Sequence, residues 1–253
     1  MRTITLFFTF CLTIFSFGQK LDFNGDKMVS EITHKRYRQE KFGKDVYSDK
    51  TFKFTYNSNR ELVKISVYDG NTPVASLTKR GDNVAFDEFD GYYKNKITLS
   101  SDGKMLLSNV VSIKDGRQKT VTYEYENGEF SGITMHYRGD IETYHLLFNK
   151  VSGNYYPMSE NAFVYSDEVN DTNINLDCLT WRKFGIIDVD EDEYILLLPQ
   201  LPLKSRNIVK EYEPDKASGL YTVEVQRDEM GNIHEILTKT KSGGIEVKLK
   251  YVP

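Results

Sequence analysis

The chain has 253 residues and a mass of 29.3 kDa, with 39% hydrophobic and 28% charged residues. That composition excludes a disordered polymer, and the length allows one large domain or two small ones with a core that needs no staples. A formal charge of −4 argues against a nucleic-acid binder, which would carry a basic patch.

The chain opens as an address. Met1-Arg2 supplies a short positive region, and Thr3 to Phe17 is apolar apart from its hydroxyls. Ser16-Phe17-Gly18 places small residues at −3 and −1 of a cut between Gly18 and Gln19. That is the layout of a cleaved secretory signal over residues 1–18. The apolar run falls short of the ~20 residues of a membrane-spanning helix, and no second run of that length follows. Cys11 sits inside the signal after Phe10, which does not suit lipidation. Cleavage leaves 32 Lys and Arg against 37 Asp and Glu, a charge of −5, and one cysteine, Cys178. No intramolecular disulfide is then available, and a buried, inert thiol is the reading of Cys178. The expected product is exported, periplasmic or extracellular, and soluble.

Along the mature chain the apolar period is two. Met28 to Arg38 reads as a strand, with Thr33 and Tyr37 favouring that over a helix. Phe52, Phe54 and Tyr56 alternate with Lys53 and Thr55. Val121, Tyr123 and Tyr125 alternate with Thr122 and Glu124, and Tyr221, Val223 and Val225 with Thr222 and Glu224. Ile245, Val247, Leu249 and Tyr251 alternate with Glu246, Lys248 and Lys250. Each is a half-buried strand with one wet face. Asn57-Ser58-Asn59, Asp69-Gly70-Asn71, Asp102-Gly103, Asp115-Gly116, Asn127-Gly128, Gly139-Asp140 and Gly231-Asn232 supply the turn chemistry between strands. The fold class expected is all-β: an antiparallel hairpin meander forming a large curved sheet or partly closed barrel. Lys239-Thr240-Lys241, Lys248 and Lys250 would guard an exposed sheet edge near the C-terminus.

The hairpins repeat a plan: strand, polar turn, apolar residue, two spacers, apolar residue. It runs through Phe54–Ile65, Tyr123–Ile133 and Val223–Ile236, and more faintly through Ile97–Leu106. Such units need neighbours to cover their apolar face. These hairpins resemble degenerate YD (Rhs-type) repeats, whose unit reads Tyr-x-Tyr-Asp, two variable residues, Gly-Arg/Asn-Leu. The mature chain also resembles a family of secreted Bacteroidota proteins of unknown function built from such hairpins. Lys27–Ile65 and Ser205–Tyr251 carry that likeness, with Asn173–Asp177 and Leu196–Asn207 between them. Arg60 and Glu129 depart from the repeat at its turns. The resemblance implies an exported all-β fold and no catalytic residue.

Residues 151–173 read as a long connection, and the loosened pattern leaves room for a waist near residues 155–175 in a single domain over 19–253. Further on, Asp188, Asp190 and Asp192 alternate with Glu191 and Glu193 before the apolar run Tyr194–Leu198. Three aspartates on one side of an extended segment are weak candidates for Ca²⁺. Glu193 and Pro199 occupy the places where an EF-hand needs Gly and Glu, so a solvated acidic loop is the stronger reading.

His34, His136, His145 and His234 show no metal-binding spacing; a turn at Gly139-Asp140 would set His136 opposite Thr143. Surface or cross-strand packing is their expected role. There is no Gly-x-Ser-x-Gly elbow, phosphate loop or dinucleotide fingerprint, so no enzyme is expected. Arg138-Gly139-Asp140 is what a hairpin turn asks for, ahead of any adhesion motif. Tyr92, Tyr93, Tyr155, Tyr156 and Trp181 are candidates for an aromatic platform that binds sugar, against cross-strand packing.

Two functions follow. One is a non-catalytic envelope protein presenting a sheet surface to a protein or glycan partner. It requires an exposed aromatic or edge-strand surface. The other is a carrier holding a lipid or other apolar ligand inside a curved sheet, which requires inward residues too small to fill it.

Overall fold

The computed structural model describes residues 27–41, 43–81, 83–88, 93–112, 116–157, 163–176, 203–213 and 219–253. Cys178, Trp181, Tyr92 and the Asp188, Asp190, Asp192 run lie outside them, as do residues 1–26.

The described residues form sixteen strands: β1 (Val29–Glu40), β2 (Gly43–Tyr56), β3 (Leu62–Asp69), β4 (Thr72–Arg80), β5 (Asn83–Glu88), β6 (Tyr93–Leu99), β7 (Met105–Ser112), β8 (Gln118–Glu126), β9 (Glu129–Tyr137), β10 (Asp140–Asn149), β11 (Asn154–Pro157), β12 (Phe163–Val169), β13 (Asn207–Tyr212), β14 (Tyr221–Arg227), β15 (Ile233–Lys239) and β16 (Gly243–Tyr251). Every ladder is antiparallel. Each strand pairs with its neighbours in sequence, with two exceptions. β1 also pairs with β16, from Val29 opposite Tyr251 to Arg38 opposite Gly243. β11 and β12 share no ladder and stand at opposite ends of the strand order. The fold is therefore all-β and antiparallel, a large curved sheet whose ladders do not close into a barrel.

Alternation decides which face is buried. In β16 Ile245, Val247 and Leu249 are buried, while Lys248 and Lys250 are exposed. The same pattern buries Phe52 and Phe54 in β2, Ile65 and Val67 in β3, and Ile233 and Ile236 in β15. These residues belong to one continuous apolar cluster that draws on strands from β1 to β16. A single sheet with one dry face covers that face by curling around it. The wet face carries cross-strand ion pairs: Lys250 with Glu31 at 2.6 Å, Lys248 with Glu235 at 3.3 Å and Lys239 with Glu224 at 2.6 Å.

The segments flanking residues 177–202 help to fill the inside. Ile174, Leu176 and Leu203 join the apolar cluster, and Asn170, Thr172, Asn173, Asn175, Lys204 and Ser205 are buried beside them. Hydrogen bonds meet the polarity of Asn170, Thr172, Asn173, Lys204 and Ser205. Asn173 Oδ1 accepts from the Val29 amide at 3.0 Å and its Nδ2 donates to the Tyr56 hydroxyl at 2.8 Å. Lys204 Nζ donates to the Thr172 carbonyl.

This course also joins the two ends of the sheet. The Arg206 amide donates to the Gly153 carbonyl at 2.9 Å, the Asn207 amide to Asn154 Oδ1 at 2.9 Å, and the Tyr155 amide to Ser205 Oγ at 3.1 Å. The Tyr165 hydroxyl on β12 donates to the Tyr155 carbonyl on β11. β11 and β12 therefore meet across a seam of side chains and loop backbone.

Three expectations are corrected. The described residues within 151–173 are not one long connection but a turn, two short strands and part of the seam. β16 lies between β1 and β15, so Lys248 and Lys250 guard no edge; they stand in ion pairs on the wet face. The β9–β10 turn is Arg138-Gly139, with Arg138 at φ 56°, so His136 faces Ile141 rather than Thr143.

Candidate functional site

One rim of the sheet is built from a repeated turn. After β2, after β6 and after β14 the chain makes a loop of the same design, at residues 57–61, 100–104 and 228–232. The first residue is Asn57, Ser100 or Asp228, and its side-chain oxygen accepts from the amide four residues on: Glu61 at 2.9 Å, Lys104 at 3.0 Å and Asn232 at 2.8 Å. Its carbonyl accepts from the amide three residues on, Arg60, Gly103 or Gly231, at 3.0, 2.9 and 2.9 Å. That fourth position lies in the left-handed region, with φ of 64°, 82° and 78°. Glycine adopts it freely, whereas a residue with a Cβ pays for it. Arg60 is the one of the three that is not glycine.

A tyrosine locks the same rim. Tyr56 donates to the Val29 carbonyl at 2.6 Å, Tyr125 to Met105 at 2.7 Å and Tyr251 to Ile233 at 2.7 Å. In each case a residue near the end of one strand ties down the first carbonyl of the strand before it. Burial pushes the Tyr56 hydroxyl up to about 12, partly offset by the bond from Asn173. Burial also raises Tyr125 and Tyr251, with the Asp102 charge adding to the first and Asp171 to the second. All three stay protonated donors at neutral pH.

The β1–β16 ladder brings the first and third loops to the same stretch of rim, and a cleft of about 950 Å³ opens between them. Met28, Leu249 and Tyr251 line it together with Met230, while Arg60 and Asp228 come from the two loops. Arg60 Nε donates to Met28 Sδ at 2.8 Å. The other cations at the cleft are engaged: Lys27 with Asp171 at 2.9 Å, and Lys250 with Glu31. Hydrogen bonds from the Asn232 side chain and backbone hold the Asp228 carboxyl below its ordinary range, with smaller help from the Met230 amide and Lys27.

At the far end of the sheet β1 and β2 run on together as an arm. β3 follows β2 only as far as Lys50, opposite Asp69. Among the described residues, 43–48 pair with β1 alone. Glu40 faces Gly43 across a two-residue turn, which makes that pair hydrogen-bonded. The ladder alternation then turns the backbone groups of Lys44 and Val46 away from β1, onto an open edge. Val46 and Tyr47 are 48% and 51% exposed there. Arg38 lies over the Tyr47 ring at 5.2 Å.

Of the tyrosines weighed for a sugar platform, the structure describes the side chains of Tyr155 and Tyr156, and both pack against neighbouring rings. Tyr155 is buried, with its ring 4.7 Å from Phe148, and Tyr156 packs edge-on against Tyr165 at 5.2 Å. Tyr93 lies in β6. Among the histidines, His136 and His145 are exposed, whereas His34 is buried with its ring 6.4 Å from Phe52. No group of three His, Cys, Asp or Glu able to hold a metal occurs among the described residues. Sequence reasoning missed Arg60 as a cleft residue. The signal was present, since aligning the hairpins sets Arg60 against Gly103 and Gly231.

No protein-family model and no curated protein matches this chain. Among solved structures, a porin-like protein from Bacteroides uniformis ATCC 8492 superposes with a TM-score of 0.64 at 13% identity, over 88% of this chain and 98% of that one. A porin-like protein from Bacteroides vulgatus ATCC 8482 does so at 0.57 and 13%, over 90% and 100%. At that identity the likeness is one of fold.

Proposed function

We propose that this chain is a non-catalytic, exported envelope protein that offers the open edge of its β1–β2 arm to a protein partner. The observation that carries the reading is the edge at residues 43–48, which no described strand covers, with Val46 and Tyr47 exposed on it. Outward amides and carbonyls at regular spacing are what an extended peptide satisfies when it joins a sheet. Export rests on the leader over residues 1–18.

The name of the structural neighbours raises a pore for comparison. A membrane barrel turns an apolar band to lipid and keeps polar groups for its lumen. In this chain the described strands do the reverse: Ile245, Val247 and Leu249 point to the core, and Lys248, Lys250 and Glu31 stand on the other face. A charge facing lipid at mid-membrane costs about 2–4 kcal/mol, which supports water on that face. Large inward side chains such as Phe52, Phe130 and Ile174 support a packed interior over a carrier's hollow one.

The test is photo-crosslinking in the protein's own cell envelope, with a benzophenone amino acid at Val46, at Tyr47 and, as a control, at exposed Lys210 in β13. The expected result is a second polypeptide captured from positions 46 and 47 only. No capture, or equal capture from position 210, would overturn the reading.

A further inference from the structure

The rim cleft carries an inference beyond a protein partner on the arm. From its charge and lining, we infer that it is a binding site for an anionic amphiphile, a molecule with a carboxylate or phosphate head and an apolar tail.

The argument begins with backbone conformation. Three loops share one hydrogen-bonding design, and two of them place glycine at the left-handed position. The first holds Arg60 there, at φ 64°. A side chain kept in a sparsely populated conformation where glycine fits is a pointer to function. Among the described residues the guanidinium is held at the cleft by one contact, Nε to Met28 Sδ at 2.8 Å. Its remaining N–H groups form a fork suited to carboxylate or phosphate. Lys27 and Lys250 are occupied by Asp171 and Glu31. Asp228, the acid on the opposite loop, is turned inward to its own loop: Oδ1 accepts from the Met230 and Asn232 amides at 3.0 and 2.8 Å, and Oδ2 from Asn232 Nδ2 at 2.9 Å. Among the described cleft groups, the Arg60 guanidinium is thus the charged donor with N–H groups left for a ligand.

Apart from Asn57, Asn232 and the tyrosine hydroxyls, the rest of the lining is apolar. Leu249 and Tyr251 come from the inward face of β16, and Met28 precedes β1. Met230 and Val252 reach the rim 81% and 42% exposed, an apolar lip with nothing over it among the described residues. A volume of about 950 Å³ lies at the upper end of small-ligand sites, roughly 300–1,000 Å³. An apolar tail laid along Met28, Leu249 and Met230 sets its head at Arg60. Whether the amphiphile arrives as a free monomer or within a bilayer is a difference of source, with the same chemistry at the site.

The experiment uses the mature protein, myristate below its micelle concentration, and methyl myristate as a neutral control of the same tail, read by titration calorimetry. A second arm measures co-sedimentation with vesicles of phosphatidylglycerol or phosphatidylcholine. The diagnostic variant is Arg60→Gly, which removes the fork and also relieves the backbone. It should melt higher than the parent, so a loss of binding cannot be a loss of folding. We expect the parent to bind myristate at least about tenfold more tightly than the ester, and Arg60→Gly to abolish that difference. Monomer binding assigns a free acid. Co-sedimentation with phosphatidylglycerol alone, lost in Arg60→Gly, assigns a headgroup in a bilayer. Neither myristate binding nor selective co-sedimentation by the parent, or binding unchanged in Arg60→Gly, would overturn the site. The arm is untouched by this variant, so crosslinking from Val46 succeeds or fails independently.

Discussion

At the scale of single residues, the three rim loops are a natural comparison series. Asn57, Ser100 and Asp228 offer the same side-chain acceptor to the same loop amide, yet only Asp228 is a permanent charge there. Its carboxyl is held below the ordinary value by hydrogen bonds from Asn232. A depressed carboxyl contributes stability above the unfolded value near 4 and loses it as pH falls through the folded one. Asp228→Asn keeps the Oδ1 acceptor, as Asn57 shows, and does not titrate. The stability gap between parent and variant should be widest at neutral pH and begin to narrow as pH falls below about 4, so that urea midpoints differ less at pH 3 than at pH 7. A constant gap would mean that the charge adds nothing to the acceptor. Arg60→Gly belongs to the same scale: relieving a left-handed residue should add about 1 kcal/mol.

At the scale of elements, the tyrosine at the end of a strand secures the strand before it. Tyr56, Tyr125 and Tyr251 each donate to the first carbonyl of the preceding strand. Replacing any of them with Phe should cost about 1–2 kcal/mol by denaturant titration. Tyr56→Phe should cost the most, because Asn173 Nδ2 loses its acceptor at the same time. Equal losses at all three positions would argue that Asn173 finds another partner. Most strands were legible from their period, as in Ile245 to Tyr251, because one wet face imposes alternation. The rest was hidden for physical reasons. The β9–β10 turn fell one residue early because Arg138 takes the positive φ that Gly139-Asp140 seemed to reserve for glycine. β11 escaped because four residues with a proline carry no period, and β12 because its pairing with β13 is broken by register shifts that blur the alternation. The cleft escaped because its two loops, at 57–61 and 228–232, are neighbours only through the β1–β16 ladder.

At the scale of the whole molecule, the strand order is cyclic with one interruption, between β11 and β12. The ends of the described chain, by contrast, are firmly paired, Val29 opposite Tyr251. A circular permutant opened between Pro157 and Phe163, with Pro253 linked to Lys27, breaks no ladder. It should keep the parent's β-sheet circular dichroism and melt within a few degrees of it. Opening the chain at Asn127-Gly128 frees the β8–β9 hairpin instead and should cost more. A reversed ranking would show that the tether across the seam, and not the ladders, holds the two edges together.

The β1–β16 ladder also sets a timetable. Whether a ribosome or an export channel delivers the chain, its N-terminal end emerges first, and β1 waits with one edge unpaired. Its partner, residues 243–251, arrives last. The hairpins between can form as they appear, each from local sequence, but the curl that covers their apolar faces is not fixed until the final strand docks. Completion therefore waits until residues 243–251 are available to β1. During that wait the apolar faces of the hairpins are open to whatever chaperone attends them.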